Sequence, residues 1–311
     1  MTLRAADLAV TLPALPLNRT YDPVYAKAVD IAPNLRRVLA RNANAFTFHG
    51  TGTYIVGRGR VAVIDPGPLI DEHVAALEEA LKGETVTHIL ITHTHSDHSP
   101  AAAPLKQATG APTYAFGPHG AGRVHEGPEI EEAGDTAFKP DHRMRDGDVI
   151  EGDGWSFECV FTPGHTSNHM CFAWREAKTF FSGDHVMGWS TTVIGPPDGD
   201  MAQYFASLEK LLRRDDKIFY PTHGGPITDP KAFVTALIAH RRAREDQIAA
   251  CLKRGIDRIP AMVEVIYSEH DKRLHPAAAL SVLAHLQHMV ATGRVATDGA
   301  AGSRSVYRLA S

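Results

Sequence analysis

The sequence predicts an α+β protein in which two sheets pack on each other with helices outside, a layered αββα arrangement, followed by a helical, winged-helix-like tail. Three observations carry this. Short β-branched runs alternate with helical periodicity across residues 34–223. Polar residues beside Gly or Pro stand where several of those strands end. Beyond Asp229-Pro230 the texture turns helical, which sets a second unit against the layered one.

The elements follow in order. "NLRRVLA" (34–40), "TYIVG" (53–57) and "RVAVID" (60–65) read as strands punctuated by Gly and Pro. "DEHVAALEEALKG" places Val74, Leu77 and Leu81 at helical spacing, with Asp71 as the expected cap and Gly83 as the stop. "VTHILIT" (86–92) is an apolar strand that delivers the chain to His93. A Pro/Ala helix over about 99–109 and a strand at "PTYAF" (112–116) come next, and residues 117–140 read as an extended loop. After Asp146-Gly147 come four strand segments, "DVIEG", "WSFECVFT", "HMCFAW" and "TFFSGD". "QYFASLEKLLRR" (203–214) is a helix, and "KIFYPTHGG" a strand ending at His223.

A long amphipathic helix runs from Lys231 to a stop at Gly255. Residues 260–311 add two helices, the second striped by Leu280, Leu283, Leu286 and Val290, then two short strands around a Gly-rich tip. The boundaries this implies are a layered unit over 1–229, a connecting helix over 230–255 and a winged-helix-like unit over 256–311.

Composition excludes several classes. With 43% hydrophobic and 22% charged residues over 311 positions, the chain has room for a large core and a smaller second unit. No stretch approaches the roughly 18 to 20 apolar residues that span a bilayer. The first twenty residues hold two Arg, an Asp and two prolines where a secretory signal needs a continuous apolar segment. The expectation is a cytoplasmic protein without a membrane partner. Cys159, Cys171 and Cys251 show neither a disulfide framework nor C-x-x-C spacing, and are expected to be buried free thiols. The net charge of −4 divides unevenly: residues 230–311 carry 12 Lys+Arg against 7 Asp+Glu, leaving the first 229 acidic. A tail of +5 is not the clustered excess that by itself marks a nucleic-acid protein.

The chemistry gathers at "ITHTHSDHS" (91–99). On an extended segment residues i and i+2 share a side, so His93 and His95 can grip one metal ion while Asp97 and His98, past a turn, face another. Zinc takes imidazole nitrogen and carboxylate oxygen at about 2.0–2.2 Å, usually with four ligands, so one loop cannot close two shells. His165 in "TPGHTSNHM", Asp184 in "FSGDH" and His223 in "YPTHGG" stand at strand ends and complete a set of seven. A lone histidine is more often structural, and His73, His119 and His288 are read so. The four motifs in this order are not explained that way.

Through "THTHSDH", "TPGHTSNHM", "SGDH" and "PTHGG" the chain resembles the metallo-β-lactamase-fold hydrolase superfamily. It is similar in particular to the beta-lactamase-like protein 2 branch, through "FTFHGTGTYIVG", "TTV" (191–193), His169, "HRRAREDQI" (240–248) and the winged-helix-like tail. Gly52 stands where relatives carry Asn, and "TSNH" varies around the third ligand motif. The resemblance implies that His93, His95 and His165 hold a first metal, Asp97, His98 and His223 a second, and that Asp184 bridges them. An Asp bridge fits hydrolases of the superfamily better than true β-lactamases. Two zinc ions per chain are expected, with iron or manganese as alternatives. A shared hydroxide would be the nucleophile, with Asp97 and Asp184 as the catalytic carboxylates. Asp65 would orient a ligand loop, and His169 and His185 would orient ligands or relay protons. Met187, Trp189 and Val193 are read as the wall of a substrate pocket.

The resemblance leaves the substrate open among three readings. A small-molecule ester, thioester or lactone comes first. Single-stranded RNA follows, because animal relatives of the branch are endoribonucleases; yet the last helix offers mostly His and Gln, a weak phosphate-binding surface. A non-catalytic binding fold comes last, since all seven ligands are present. The 39 positions from Asp184 to His223 leave no room for the large inserted domain of the superfamily's major nucleases, and the glutathione-recognising Arg/Lys pattern of glyoxalase II is not evident. The tail could equally serve as a lid or as a homodimer surface.

Overall fold

The computed structural model describes residues 4–124 and 134–310, so residues 125–133 of the expected 117–140 loop lie outside the described part. Seven strands form the first sheet in the order β1 (Ala28–Ala32), β2 (Leu35–Leu39), β3 (Gly52–Val56), β4 (Arg60–Ile64), β5 (Thr85–Leu90), β6 (Thr113–Ala115) and β7 (His142–Arg143). The first four pair antiparallel, as short connections allow, and β4 to β7 pair parallel. Parallel pairing needs crossovers, and α1 (Asp71–Ala80) and α2 (Ala102–Thr109) supply two of them. The second sheet runs β12 (Ile218–Pro221), β11 (Thr179–Gly183), β10 (Met170–Trp174), β9 (Ser156–Phe161) and β8 (Val149–Glu151). Its one parallel pair, β11 with β12, is joined through α3 (Met201–Leu212).

Three cores stack through this unit. Tyr54, Val56, Ala62, Ile64 and Leu90 of the first sheet meet Phe157, Met170, Phe172, Phe181 and Tyr220 of the second. Their strand neighbours point outward: Ile55, Val61, Val63 and Ile89 pack under Leu77 of α1 and Leu105 of α2. On the far side Cys171, Ala173, Phe180 and Phe219 pack under Tyr204, Leu208 and Leu211 of α3. Both faces of the central strands are therefore covered, which is why they read as nearly continuous apolar runs rather than alternating ones. This is the expected αββα sandwich.

Local expectations need two corrections. Ile70, not Asp71, occupies the N-cap of α1; Asp71 sits in the first turn, where its charge faces the positive end of the helix. β1 and β7 had no counterpart in the sequence reading, being weakly apolar or only two residues long.

The helix α4 (Pro230–Lys253), capped by the Asp229 side chain on Ala232 N, belongs to two cores. Phe233, Val234, Leu237 and Ile238 pack with α3, while Ile248 and Cys251 join α5 (Ile259–Ile266), α6 (His275–Ala291) and the hairpin of β13 (Val295–Thr297) and β14 (Tyr307–Leu309). The stripe read on α6 understates its burial: Val282, Ala284, His285 and Met289 are enclosed as well as Leu283 and Leu286. Between α4 and α6 lies a buried ionic knot. Glu245 accepts from His288 Nδ1 at 2.6 Å and from Arg294 at 2.5 Å, with His285 Nδ1 at 3.4 Å. Burial alone would raise its carboxyl, but the hydrogen bonds and charge of His285 and His288 hold it down at about 2. All three cysteines are free and buried. No helix among the described residues is long and apolar enough to cross a membrane.

Candidate metal centre

Every one of the seven candidate ligands read from the sequence sits just beyond a strand end on one rim of the sandwich. His93, His95, Asp97 and His98 follow β5, His165 follows β9, Asp184 follows β11 and His223 follows β12. Two of the turns depend on glycine. Gly164 has φ +139°, and a Cβ there would come within 2.4 Å of Tyr204 Cα; Gly183 has φ +53° and abuts His169.

The side chains form three overlapping groups of candidate ligands: His93, His95 and His165; Asp97, His98 and His223; and His93, His98 and Asp184. Within each group the ligand atoms lie within 4.8 Å of one another. In the first, His95 Nδ1 lies 3.0 Å from His93 Nε2 and 3.2 Å from His165 Nε2. In the second, Asp97 Oδ2 lies 3.3 Å from His223 Nε2 and 3.5 Å from His98 Nε2. Asp184 Oδ2 stands between them, 3.2 Å from His223 Nε2, 3.5 Å from His98 Nε2 and 3.9 Å from His165 Nε2.

Each ring is aimed by what its other nitrogen touches. His165 Nδ1 donates to Val193 O at 2.7 Å, and His223 Nδ1 donates to Gly50 O at 3.1 Å. His98 Nδ1 donates to Asp65 Oδ2 at 3.0 Å. Nε2 of all three rings is thereby left facing the centre, the arrangement that selects a ligating tautomer. Asp97 Oδ2 accepts from Thr51 Oγ1 at 2.9 Å.

Asp65 does more than hold one loop. Its carboxylate takes Thr92 N at 2.8 Å, Thr92 Oγ1 at 2.7 Å and Thr222 Oγ1 at 3.1 Å besides His98. It therefore fixes the residue before His93, the residue before His223, and His98 itself. It stands behind the ligands rather than among them. His169 plays a related part: Asp184 N donates to its Nε2 at 3.2 Å, while its Nδ1 meets Thr162 Oγ1 at 2.9 Å.

His185 departs from the expectation of an orienting or proton-relay group. Its ring packs 4.8 Å from Tyr204, and neither nitrogen has a hydrogen-bond partner among the described residues. Successive residues leave the Gly183 turn on opposite sides, so Asp184 enters the centre and His185 enters the α3 core. Of the expected pocket wall, Met187 is buried, Val193 contributes its carbonyl, and Trp189 stacks on Phe48 at 4.8 Å and borders Gly224. Phe48, which holds φ +58°, was given no role from sequence, nor were Thr51, Thr92, Thr192 and Thr222, although all five lie in stretches that carry the resemblance. A signal existed for two of these: Thr precedes His in both "ITH" and "PTH", and both threonines bind Asp65. Gly52 is closely packed: a Cβ there would come within 2.9 Å of Arg37 Cδ.

The residues fit a pair of divalent cations. Asp184 Oδ1 is buried with no hydrogen-bond partner among the described residues, a costly state that a cation would relieve. Burial, with neighbouring imidazoles adding to it, pushes His93 well below the usual histidine range and His95 to about 3. Burial opposes protonation of His98 and His223 too, but the Asp97 and Asp184 carboxylates override it, holding His98 well above the usual range and His223 at about 10. The site without metal thus keeps positive charge where the carboxylates lie, and neutral imidazoles beside it. Imidazole and carboxylate donors suit zinc, and also iron or manganese.

Comparison with known proteins agrees with this arrangement. Residues 47–223 match the model of the metallo-beta-lactamase superfamily, to which the chain belongs, and residues 259–303 match the beta-lactamase associated winged helix domain. Within the superfamily it is 33% identical to a beta-lactamase-like protein 2 homolog of Drosophila melanogaster, over 83% of this chain and 88% of that one. It is 31% identical to an atrochrysone carboxyl ACP thioesterase of Paecilomyces divaricatus, over 72% of this chain and 66% of that one. In fold it is similar to a beta-lactamase domain protein from Burkholderia ambifaria, with a TM-score of 0.74 at 17% identity, covering 95% of this chain and 97% of that one.

Proposed function

We propose that the protein is a dinuclear, zinc-dependent hydrolase of small acyl substrates, with thioesters preferred over oxygen esters and lactones. The observation that carries the reading is the position of Asp184 Oδ2 within 4 Å of nitrogens from both ligand groups. His93, His95 and His165 would hold one cation, Asp97, His98 and His223 the other, and Asp184 would be common to both. When bound, such a pair supplies a strong oxygen nucleophile at neutral pH and Lewis acidity toward a carbonyl oxygen.

The chain's own groups do the rest. Asp97, whose side chain is 22% exposed against 10% for Asp184, is the carboxylate nearer solvent and the one placed to take a proton on Oδ1 while Thr51 holds Oδ2. Phe48 and Trp189, stacked beside the turns that carry Gly50 and Gly224, offer a flat apolar wall to an acyl chain. A thiolate is a stable leaving group and needs no protonation, so a site whose histidines are engaged as ligands suits a thioester. The similarity to a protein named an acyl-carrier-protein thioesterase supports the same preference.

Single-stranded RNA is less well supported. The helix that would enter a groove, α6, is the enclosed centre of the tail, and Gln287 and His288 are spent on Ala301 O and Glu245. Part of the basic excess is not free to meet phosphate: Arg241 and Arg244 are buried, and Arg242, Arg273, Arg294 and Arg308 pair with carboxylates at the surface. Free thiols suit a reducing cytoplasm.

The test is zinc-reconstituted protein assayed on acyl thioesters, oxygen esters, lactones and a labelled single-stranded RNA. We expect zinc-dependent thioester turnover that a chelator abolishes. Cleavage of RNA without thioester turnover would overturn the substrate reading and make the tail a strand-binding unit.

A further inference from the structure

Arg241, midway along α4, lies outside the ligand set and is only 4% exposed. Its surroundings are odd for a buried cation. Among the described residues its Nε has no hydrogen-bond partner, and its guanidinium lies over the Tyr204 ring at 5.3 Å rather than against a carboxylate. Burying a charge without a countercharge is costly, so packing α4 onto α3 does not account for it; an aliphatic side chain would pack there more cheaply.

Besides meeting Tyr204, the guanidinium holds one peptide. Arg241 Nη2 donates to Thr192 O. Thr192 Oγ1 in turn donates to Asp184 O at 2.6 Å and lies 3.2 Å from His185 O. The next carbonyl, Val193 O, receives His165 Nδ1–H at 2.7 Å. Tyr204, beneath the guanidinium, donates its hydroxyl to His185 O at 2.9 Å. Residues 192 and 193 therefore touch both the bridging carboxylate's backbone and a ligand of the first group, and they are clamped from behind by a single side chain of the helix that leads to the tail.

We propose that Arg241 is a positioning residue for the metal centre: by fixing the Thr192–Val193 peptide, it sets the ring of His165 and the backbone of Asp184. The proposal rests on the metal-centre reading above. It also makes α4, which shares its far half with the winged-helix-like core, a physical link between that core and the ligands.

Arg241→Met keeps an unbranched, flexible stem against Tyr204 and removes the guanidinium donor. The experiment measures zinc affinity by competition with a chromogenic chelator, the visible spectrum of the Co2+-loaded protein, and thermal unfolding of the metal-free protein. A positioning role predicts zinc binding weakened by about 10- to 100-fold and an altered Co2+ spectrum, with metal-free unfolding within a few degrees of the wild type and partial recovery in Arg241→Lys. Wild-type affinity and spectrum in Arg241→Met would overturn the proposal and leave the residue a packing element of α4. If Arg241→Met does not fold, Thr192→Val reads the same link from the other end: weakened zinc binding supports the proposal, and unchanged binding overturns it. Failure of the wild-type protein itself to bind zinc would overturn the metal-centre reading and this inference with it.

Discussion

Asp184→Asn is expected to lose hydrolysis and metal together. The substitution keeps the shape of the side chain and removes the negative charge shared by both ligand groups. Asp184 is held well below the usual carboxylate range; burial opposes this, but His223 and His98 outweigh it. Its Oδ2 lies within 4 Å of three ligand nitrogens. An amide there binds a cation poorly and can turn its NH2 toward the centre. Activity on the best acyl substrate should fall about a thousandfold or more, the loss expected when roughly 4 kcal/mol of transition-state stabilisation is removed, and metal per chain should fall in parallel when measured by inductively coupled plasma mass spectrometry. Full activity with unchanged metal would contradict a shared carboxylate.

Asp65→Asn should weaken the centre by a different route, without replacing any candidate ligand. At φ +48° an asparagine is tolerated, so the fold should survive. The carboxylate now accepts from Thr92 N, Thr92 Oγ1, Thr222 Oγ1 and His98 Nδ1. If the amide oxygen keeps Thr92 N, its NH2 must face the other three. The hydroxyls can rotate to accept, but His98 can accept at Nδ1 only by carrying its proton on Nε2. That nitrogen is the one aimed at the centre, so the wrong tautomer blocks ligation. Metal affinity is expected to fall by about 10- to 100-fold, read by chelator competition, while thermal unfolding of the metal-free protein shifts little. A large loss of stability with intact affinity would show that Asp65 serves the fold alone.

The candidate ligands could be read from the sequence because metal chemistry restricts residue type, and because strands that end at one rim deliver their next residues to one place. His165 and Asp184 could be read beside Gly164 and Gly183, whose backbone angles let those turns form. Direction was harder to read. His185 adjoins Asp184 in sequence, yet the turn sends its ring into the α3 core. Arg241 looked like the polar side of an amphipathic helix, but α4 is covered by α3 on one stretch and by α6 on the next, so Arg241, Arg244 and Glu245 are enclosed. Such burial depends on what packs against a helix, which helical spacing does not carry. The same holds for α6, where an apolar stripe was visible but its nearly complete enclosure was not. Of the groups that aim the ligands, Asp65 was read as one that orients a loop; Thr192 and the Val193 carbonyl were not read so, because backbone acceptors leave no residue-type signature.

The claim on which everything else depends is that these seven side chains form one centre for two cations. Crystals of the zinc-loaded protein, measured by anomalous diffraction on either side of the zinc absorption edge, test it directly. The account predicts two anomalous peaks about 3.5–4 Å apart, one among His93, His95 and His165, the other among Asp97, His98 and His223, with the Asp184 carboxylate between them. No peak among these side chains, or one that Asp184 does not touch, would contradict it.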